Sequence, residues 1–134
     1  MSSGLLLAAA ALHLGFQVTV TVLVYPALAA ESADRWAPAH ARHTRRILPL
    51  VVVIYGLLVM ALGTAFVTGP IDGGLMVAAA GAALALSTTA IVAGPLHGRL
   101  RLRDQRMIDR LLRVDRLRAA GAVICVIGAI WWSV

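Results

Sequence analysis

Long apolar stretches alternate with short polar ones along this chain, and the long stretches have the length of a bilayer crossing. They run from about Gly4 to Leu28, Ile47 to Thr68, Leu75 to Leu96 and Ala119 to Val134. About twenty apolar residues in a helix match the hydrocarbon core of a membrane. In lipid the backbone must satisfy its own polar groups, which leaves helices or closed barrels. The pattern predicts an all-α protein, a four-transmembrane-helix up-down bundle, forming one integral membrane domain over residues 1–134. The fourth run is short. Just before it, Ile108, Leu111, Leu112, Ala119 and Ala122 recur at helical spacing through and beyond the amphipathic basic stretch 99–118. One helix is therefore expected from about Asp104 to the C-terminus. Ser32 is a candidate N-cap for the second helix. Pro26 is expected to end the first span, and Pro49 to kink or loosen the second. No internal repeat stands out.

The opening residues, MSSGLLLAAAAL, read as the first span and not as a cleaved leader. No basic segment precedes them, and the run is too long and contains His13 and Gln17.

Charge orients the bundle. The chain is 60% hydrophobic and only 13% charged, where a soluble domain carries about 25% charged residues; its mean hydropathy is +0.88. All twelve basic residues are arginine, and the net charge is +6. The first loop holds Arg35, Arg42, Arg45 and Arg46. The third holds Arg99, Arg101, Arg103, Arg106, Arg110, Arg113, Arg116 and Arg118. The second loop, TGPIDGG, and the N-terminus hold none. With four spans, loops one and three share a side, which the positive-inside rule makes cytoplasmic. Both termini are then expected on the non-cytoplasmic side of a cell (inner or plasma) membrane. The arginines flank apolar spans, so lipid headgroups are the expected partner and nucleic acid is not.

Polar residues inside a span are costly and usually face the bundle interior. His13, Gln17, Thr21 and Tyr25 step by four along the first helix, which keeps them near one face. They are either glue between helices, at about 0.6 kcal/mol per bond, or the lining of a cavity for a lipophilic substrate or a proton path. In the segment WAPAHARHTRR, His40 and His43 are three apart and share a face of the second helix. His97 ends the third span on the same side. The three histidines can therefore converge on a transition metal (copper, iron or zinc) or contribute to a haem site. Asp115 falls on the apolar face of the last helix and needs a partner there. An ion pair with Arg45, Arg46 or Arg118 is the first expectation, and a place in the metal shell is the second. His13 lies too far along the first helix to share a small metal site with His40 and His43.

Other features are weaker. Trp36, Trp131 and Trp132 sit at span boundaries, where tryptophan anchors membrane proteins. Small residues from Ala78 to Ala85 suit close helix contact, and so does the GxxxG of Gly94 and Gly98. Cys125 reads as core filler. The chain has no phosphate loop, HExxH, nucleophile elbow or CxxC. That argues against ATPase, zincin, α/β-hydrolase and dithiol chemistry.

Four motifs carry a resemblance: YPAL (Tyr25 to Leu28), W-x-x-x-H-x-x-H-x-R (Trp36, His40, His43, Arg45), P-x-H-x-x-L (Pro95, His97, Leu100) and D-R-L-R (Asp115 to Arg118). Together they resemble a group of small four-helix bacterial integral membrane proteins. The layout is similar, more loosely, to the family of anthrone oxygenase-like membrane proteins. That resemblance implies oxidation of an aromatic or quinone-like substrate at the membrane, and it assigns no catalytic residue.

Two functional expectations follow. One is a metal- or haem-dependent membrane oxidoreductase acting on a lipophilic substrate. The other is a non-enzymatic module, either a small transporter subunit or an accessory protein that binds a partner. A transporter of this size would need to homo-oligomerise, with the small-residue face of the third helix as the candidate surface.

Overall fold

The computed structural model describes residues 2–100 and 102–134, so Arg101 of the basic stretch lies outside the described residues. Among the described residues four helices follow in order: α1 (Ser2–Ala29), α2 (Ala33–Thr68), α3 (Gly73–Arg99) and α4 (Gln105–Ser133). No strand occurs among the described residues. α1, α2 and α3 are each long and apolar enough to cross a membrane. Their outer faces suit lipid, with Leu23, Val52, Met60, Val67 and Ile91 all largely exposed.

The helix starts follow from side-chain chemistry. Asp72 and Asp104 each accept a backbone N–H three residues on, from Leu75 at 3.1 Å and Met107 at 3.2 Å, which satisfies an otherwise orphaned donor. Ser32 holds the N-cap position of α2 but makes no cap bond; its hydroxyl accepts from Arg35 Nε at 3.2 Å instead.

The prolines act differently from the sequence expectation. α2 stays α-helical through Pro38 and Pro49, and α1 continues past Pro26 to Ala29. The irregular turns precede Pro26 and Pro95. Residues Val20–Val24 and Thr88–Ala93 form wide π turns, in which Tyr25 N–H reaches Val20 O and Gly94 N–H reaches Thr89 O, five residues back. Proline lacks an N–H and crowds the carbonyl of the preceding turn, and a wider turn relieves that crowding. α1–α2 and α3–α4 are thus two versions of one unit: a helix with a π turn and a proline near its end, a short loop, then a long helix that starts among arginines. The repeat is structural, since the two halves share only scattered residues.

Packing is closest between α3 and α4. Gly74, Ala78, Gly81 and Ala85 of α3 face Gly121, Cys125 and Gly128 of α4. A Cβ on Gly121 would stand 2.8 Å from Gly81 O and 3.0 Å from Ala85 N, so the two backbones are in contact. The small-residue face of α3 is therefore occupied by α4 and is not free for a second copy of the chain. Gly94 and Gly98 make no such contact: a Cβ on Gly98 meets nothing within 4 Å, and one on Gly94 meets only Thr89 O of the same helix.

The ends of the bundle are tied. Arg103 donates from Nε to Glu31 O at 3.1 Å and from Nη2 to Ala29 O at 3.3 Å. This clamps the α1–α2 and α3–α4 loops together at one end. At the other end Trp132 Nε1 donates to Pro70 O at 3.0 Å. Trp36 is buried and donates from Nε1 to Leu100 O at 3.1 Å. Trp36 and Trp132 are thus internal clamps, while Trp131 is exposed. Two apolar cores result. One, toward Pro70, is built around Leu6, Leu58, Leu75, Cys125 and Trp132. The other, at the arginine end, is built around Val20, Trp36, Leu96, Leu100 and Ile108.

Candidate functional site

Among the described residues, the polar or charged side chains of His13, Gln17, His40, Asp115 and Arg118 are buried. All lie between the middle of the bundle and its arginine end. The α1 stripe reaches Tyr25 because of the π turn. Steps of four overshoot a 3.6-residue turn by about 40° each, so three such steps in a regular helix would swing Tyr25 well away from His13. The wide turn at Val20–Val24 holds more residues per turn and takes back part of that drift. His13 and Gln17 are fully buried and Tyr25 nearly so, with Thr21 half-buried between them and donating to Gln17 O at 2.9 Å.

A continuous chain of contacts runs through the site. Gln17 Nε2 donates to Asp115 Oδ1 at 2.7 Å. Arg118 Nη1 lies 3.4 Å from the same oxygen and donates to Tyr25 Oη at 3.3 Å. Tyr25 Oη is 3.0 Å from His97 Nε2, and His97 Nδ1 is 3.0 Å from His40 Nε2. Arginine can only donate, so Tyr25 accepts from Arg118. When Tyr25 gives its own proton to His97 Nε2, His97 carries its proton on Nδ1 and donates it to His40; the second lone pair of Tyr25 Oη equally allows the other tautomer, in which His97 Nε2–H donates to Tyr25.

His40 stacks between Trp36 and His97, with ring centroids 5.4 Å and 5.2 Å away. His43 lies 5.9 Å from the Tyr25 ring and 5.8 Å from the His97 ring. Its Nε2 is buried without a hydrogen-bond partner. His40, His43 and His97 are therefore brought together, around Tyr25. Among the described residues no three His, Cys, Asp or Glu side chains are arranged to hold a metal ion.

Asp115 lies on the far side of Tyr25 from the histidines in this chain, and its partners are Gln17 and Arg118. Of the three arginines considered for it, only Arg118 is buried beside it. Arg45 and Arg46 are exposed on α2. The geometry follows from sequence spacing, since Arg118 is three residues after Asp115 on one helix face.

His13 stands apart. Its ring packs edge-on against Tyr55, with centroids 4.6 Å apart, and Tyr55 Oη bonds Thr89 Oγ1 at 3.0 Å. Both His13 nitrogens, Gln17 Oε1 and Arg118 Nε are buried without partners. Tyr55 and Thr89 were not singled out from the sequence. The signal was there for Tyr55, the only tyrosine within the apolar runs of the second, third and fourth helices, and for Thr89, which lies in the turn that Pro95 distorts.

A cavity of about 320 Å³ opens beside the chain of contacts. Tyr25, Thr89, His97 and Arg118 supply its polar wall; Ile47, Leu48, Val51 and Ala93 supply apolar surface. A mostly apolar pocket with a few convergent polar groups is the usual form of a small-molecule site. No protein family, curated protein or solved structure matches this chain.

Proposed function

We propose that this protein is a membrane-embedded, metal-dependent oxidoreductase acting on a lipophilic, aromatic or quinone-like molecule. In this reading all four helices span a cell (inner or plasma) membrane. The arginine loops face the cytoplasm and both termini face away from it.

The observation that carries the reading is the pair of facing nitrogens on His40 and His97, beside the unpartnered Nε2 of His43. Those nitrogens would hold the ion; imidazole suits copper and iron, and electron transfer calls for one of these redox-active metals, because zinc has no redox chemistry. Moving the His97 proton from Nδ1 to Nε2 frees both facing nitrogens as ligands. Tyr25 Oη then accepts the Nε2–H, the kind of outer hydrogen bond that orients metal-bound histidines. His43, whose Nε2 has no hydrogen-bond partner, would be the third ligand. Asp115 serves as the counter-ion of Arg118, which holds Tyr25.

A haem fits less well, because the facing His40 and His97 nitrogens bond each other directly at 3.0 Å and leave no room for a macrocycle between them. The metal would supply electron transfer. The chain's own residues would bind the substrate in the 320 Å³ cavity and move its protons along Tyr25, His97 and His40. A quinone or phenol exchanges protons along with electrons, so a proton route beside the cavity suits this substrate class.

The second reading, a non-enzymatic transporter subunit or accessory protein, draws on the same contacts: Tyr25, His97 and His40 would serve equally as part of a proton path, with Gln17, Asp115 and Arg118 as the packing that holds it. Turnover separates the two. Protein purified in detergent with copper or iron supplied should oxidise a short-chain hydroquinone in air, and His97→Ala should abolish this. Wild-type protein with bound metal but no turnover on any phenol or hydroquinone contradicts the oxidoreductase reading.

A further inference from the structure

A second concavity lies on the other side of the histidine cluster, between α1 and α2, and it differs in character from the cavity above. Its volume is about 500 Å³. Phe16, Val20, Val24, Leu28, Ile47 and Leu50 make its walls apolar, and Arg42, His43 and Arg46 stand at its arginine-end mouth. Arg42 and Arg46 are four apart on α2 and exposed, so their guanidinium groups point from one face. Among the described residues neither has a carboxylate within 4.0 Å. The acid that lines this groove, Glu31, faces Arg35 at 3.7 Å instead. His43 lines the groove and keeps its buried Nε2 without a partner.

An apolar furrow along two helices, capped by two unneutralised arginines and an unpartnered imidazole, matches an amphiphile with one acyl chain in the furrow and an anionic head at the mouth. Arginine forks bind phosphate oxygens well. A soluble anion would leave the apolar walls bare, and a neutral lipid would leave the arginines without a counter-charge. We infer that the α1–α2 groove is a binding site for one anionic phospholipid of the surrounding bilayer, its phosphate held by Arg42 and Arg46 and one acyl chain lying along Val20, Val24 and Ile47. The groove borders the histidine cluster through His43, but the phosphate contacts come from Arg42 and Arg46, which take no part in the reaction proposed above.

The test is native mass spectrometry of the full chain, released from nanodiscs made with equal parts phosphatidylglycerol and phosphatidylcholine. Wild-type protein should retain one phosphatidylglycerol. Arg42→Gln with Arg46→Gln should lower the preference about thirtyfold, the equivalent of two contacts to an anionic surface at about 1 kcal/mol each. Arg110→Gln with Arg113→Gln removes the same charge from exposed positions on α4 and should leave the preference intact. Ala27→Trp fills the groove from an exposed position and should reduce retention of both lipids. Equal loss in the two arginine pairs reduces the effect to net charge and overturns the site. Unchanged retention in the groove pair, or in Ala27→Trp, overturns it as well.

Discussion

Toward Pro70, α3 and α4 meet backbone to backbone through Gly74, Gly81, Gly121 and Gly128, and the core there is Leu6, Leu58, Ala82 and Cys125. Toward the arginines the same two helices are held further apart by side chains. His97, Tyr25, Arg118 and Asp115 fill the space, and two π turns carry α1 and α3 around them. The first half gains its stability from contact alone, which in lipid is the main source of helix association. The second half buries the Asp115–Arg118 ion pair, whose members are stable there only while both are present. Close packing and buried polar groups are therefore separated along the bundle axis, and variants in the two halves should fail in different ways.

The largest effect is expected from Arg118→Met, which strands the Asp115 carboxylate in the interior. Loss of one partner of a buried pair costs about 3–5 kcal/mol, readable as equilibrium unfolding in mixed micelles. Adding Asp115→Leu should restore most of the loss, because the orphaned charge goes with it. If the double variant is as unstable as the single one, the charge pair is not what holds this half. Next comes Gly128→Val in the close-packed half, where a Cβ would stand 2.7 Å from Ala78 Cα and 2.8 Å from Gly74 O. Overpacking of this kind costs about 1–3 kcal/mol, and here the obstacle is backbone, so the upper end is expected. Metal content per folded chain should not change. A fall in metal content parallel to stability would erase the distinction between the halves. His40→Ala should reverse that profile, losing about one hydrogen bond's worth of stability, roughly 0.5–1.5 kcal/mol, while removing metal binding. The smallest effect belongs to Gly98→Ala. With nothing within 4 Å of the new Cβ and a helical position, it should stabilise by about 0.5–1 kcal/mol. Destabilisation would reveal a close contact at Gly98 after all.

The dry half was the more legible in the sequence. Apolar runs and the small residues Ala78 to Ala85 announce helices that pack closely, and a packing face needs no particular partner. At the wet half, the positions of the polar groups could be read but their pairing could not. His13, Gln17 and Tyr25 fall on one stripe, and His40, His43 and His97 share one end by topology. Spacing on α4 brings Arg118 within reach of Asp115, but that Arg45 and Arg46 of α2 stay exposed and out of reach is a tertiary fact. Thr89 drew no notice because a threonine hydroxyl in an apolar run can satisfy itself on its own helix, as Thr89 does on Ala85 O at 2.7 Å; Tyr55 carried a signal, but its partner on another helix was a tertiary fact. The π turns were hidden for another reason. Four prolines lie within helices; the turns before Pro26 and Pro95 widen, while those around Pro38 and Pro49 stay regular. Trp36 read as a lipid anchor because its position was visible and its burial was not.

The central claim is that the histidine cluster at the arginine end is a metal site. Elemental analysis with an absorption spectrum, on detergent-purified protein expressed with iron and copper supplied, tests it most directly. The account predicts close to one copper or iron per chain, lost in His40→Ala with His97→Ala while the fold survives. A metal-free, colourless wild-type protein that remains so after reconstitution with either ion would contradict it.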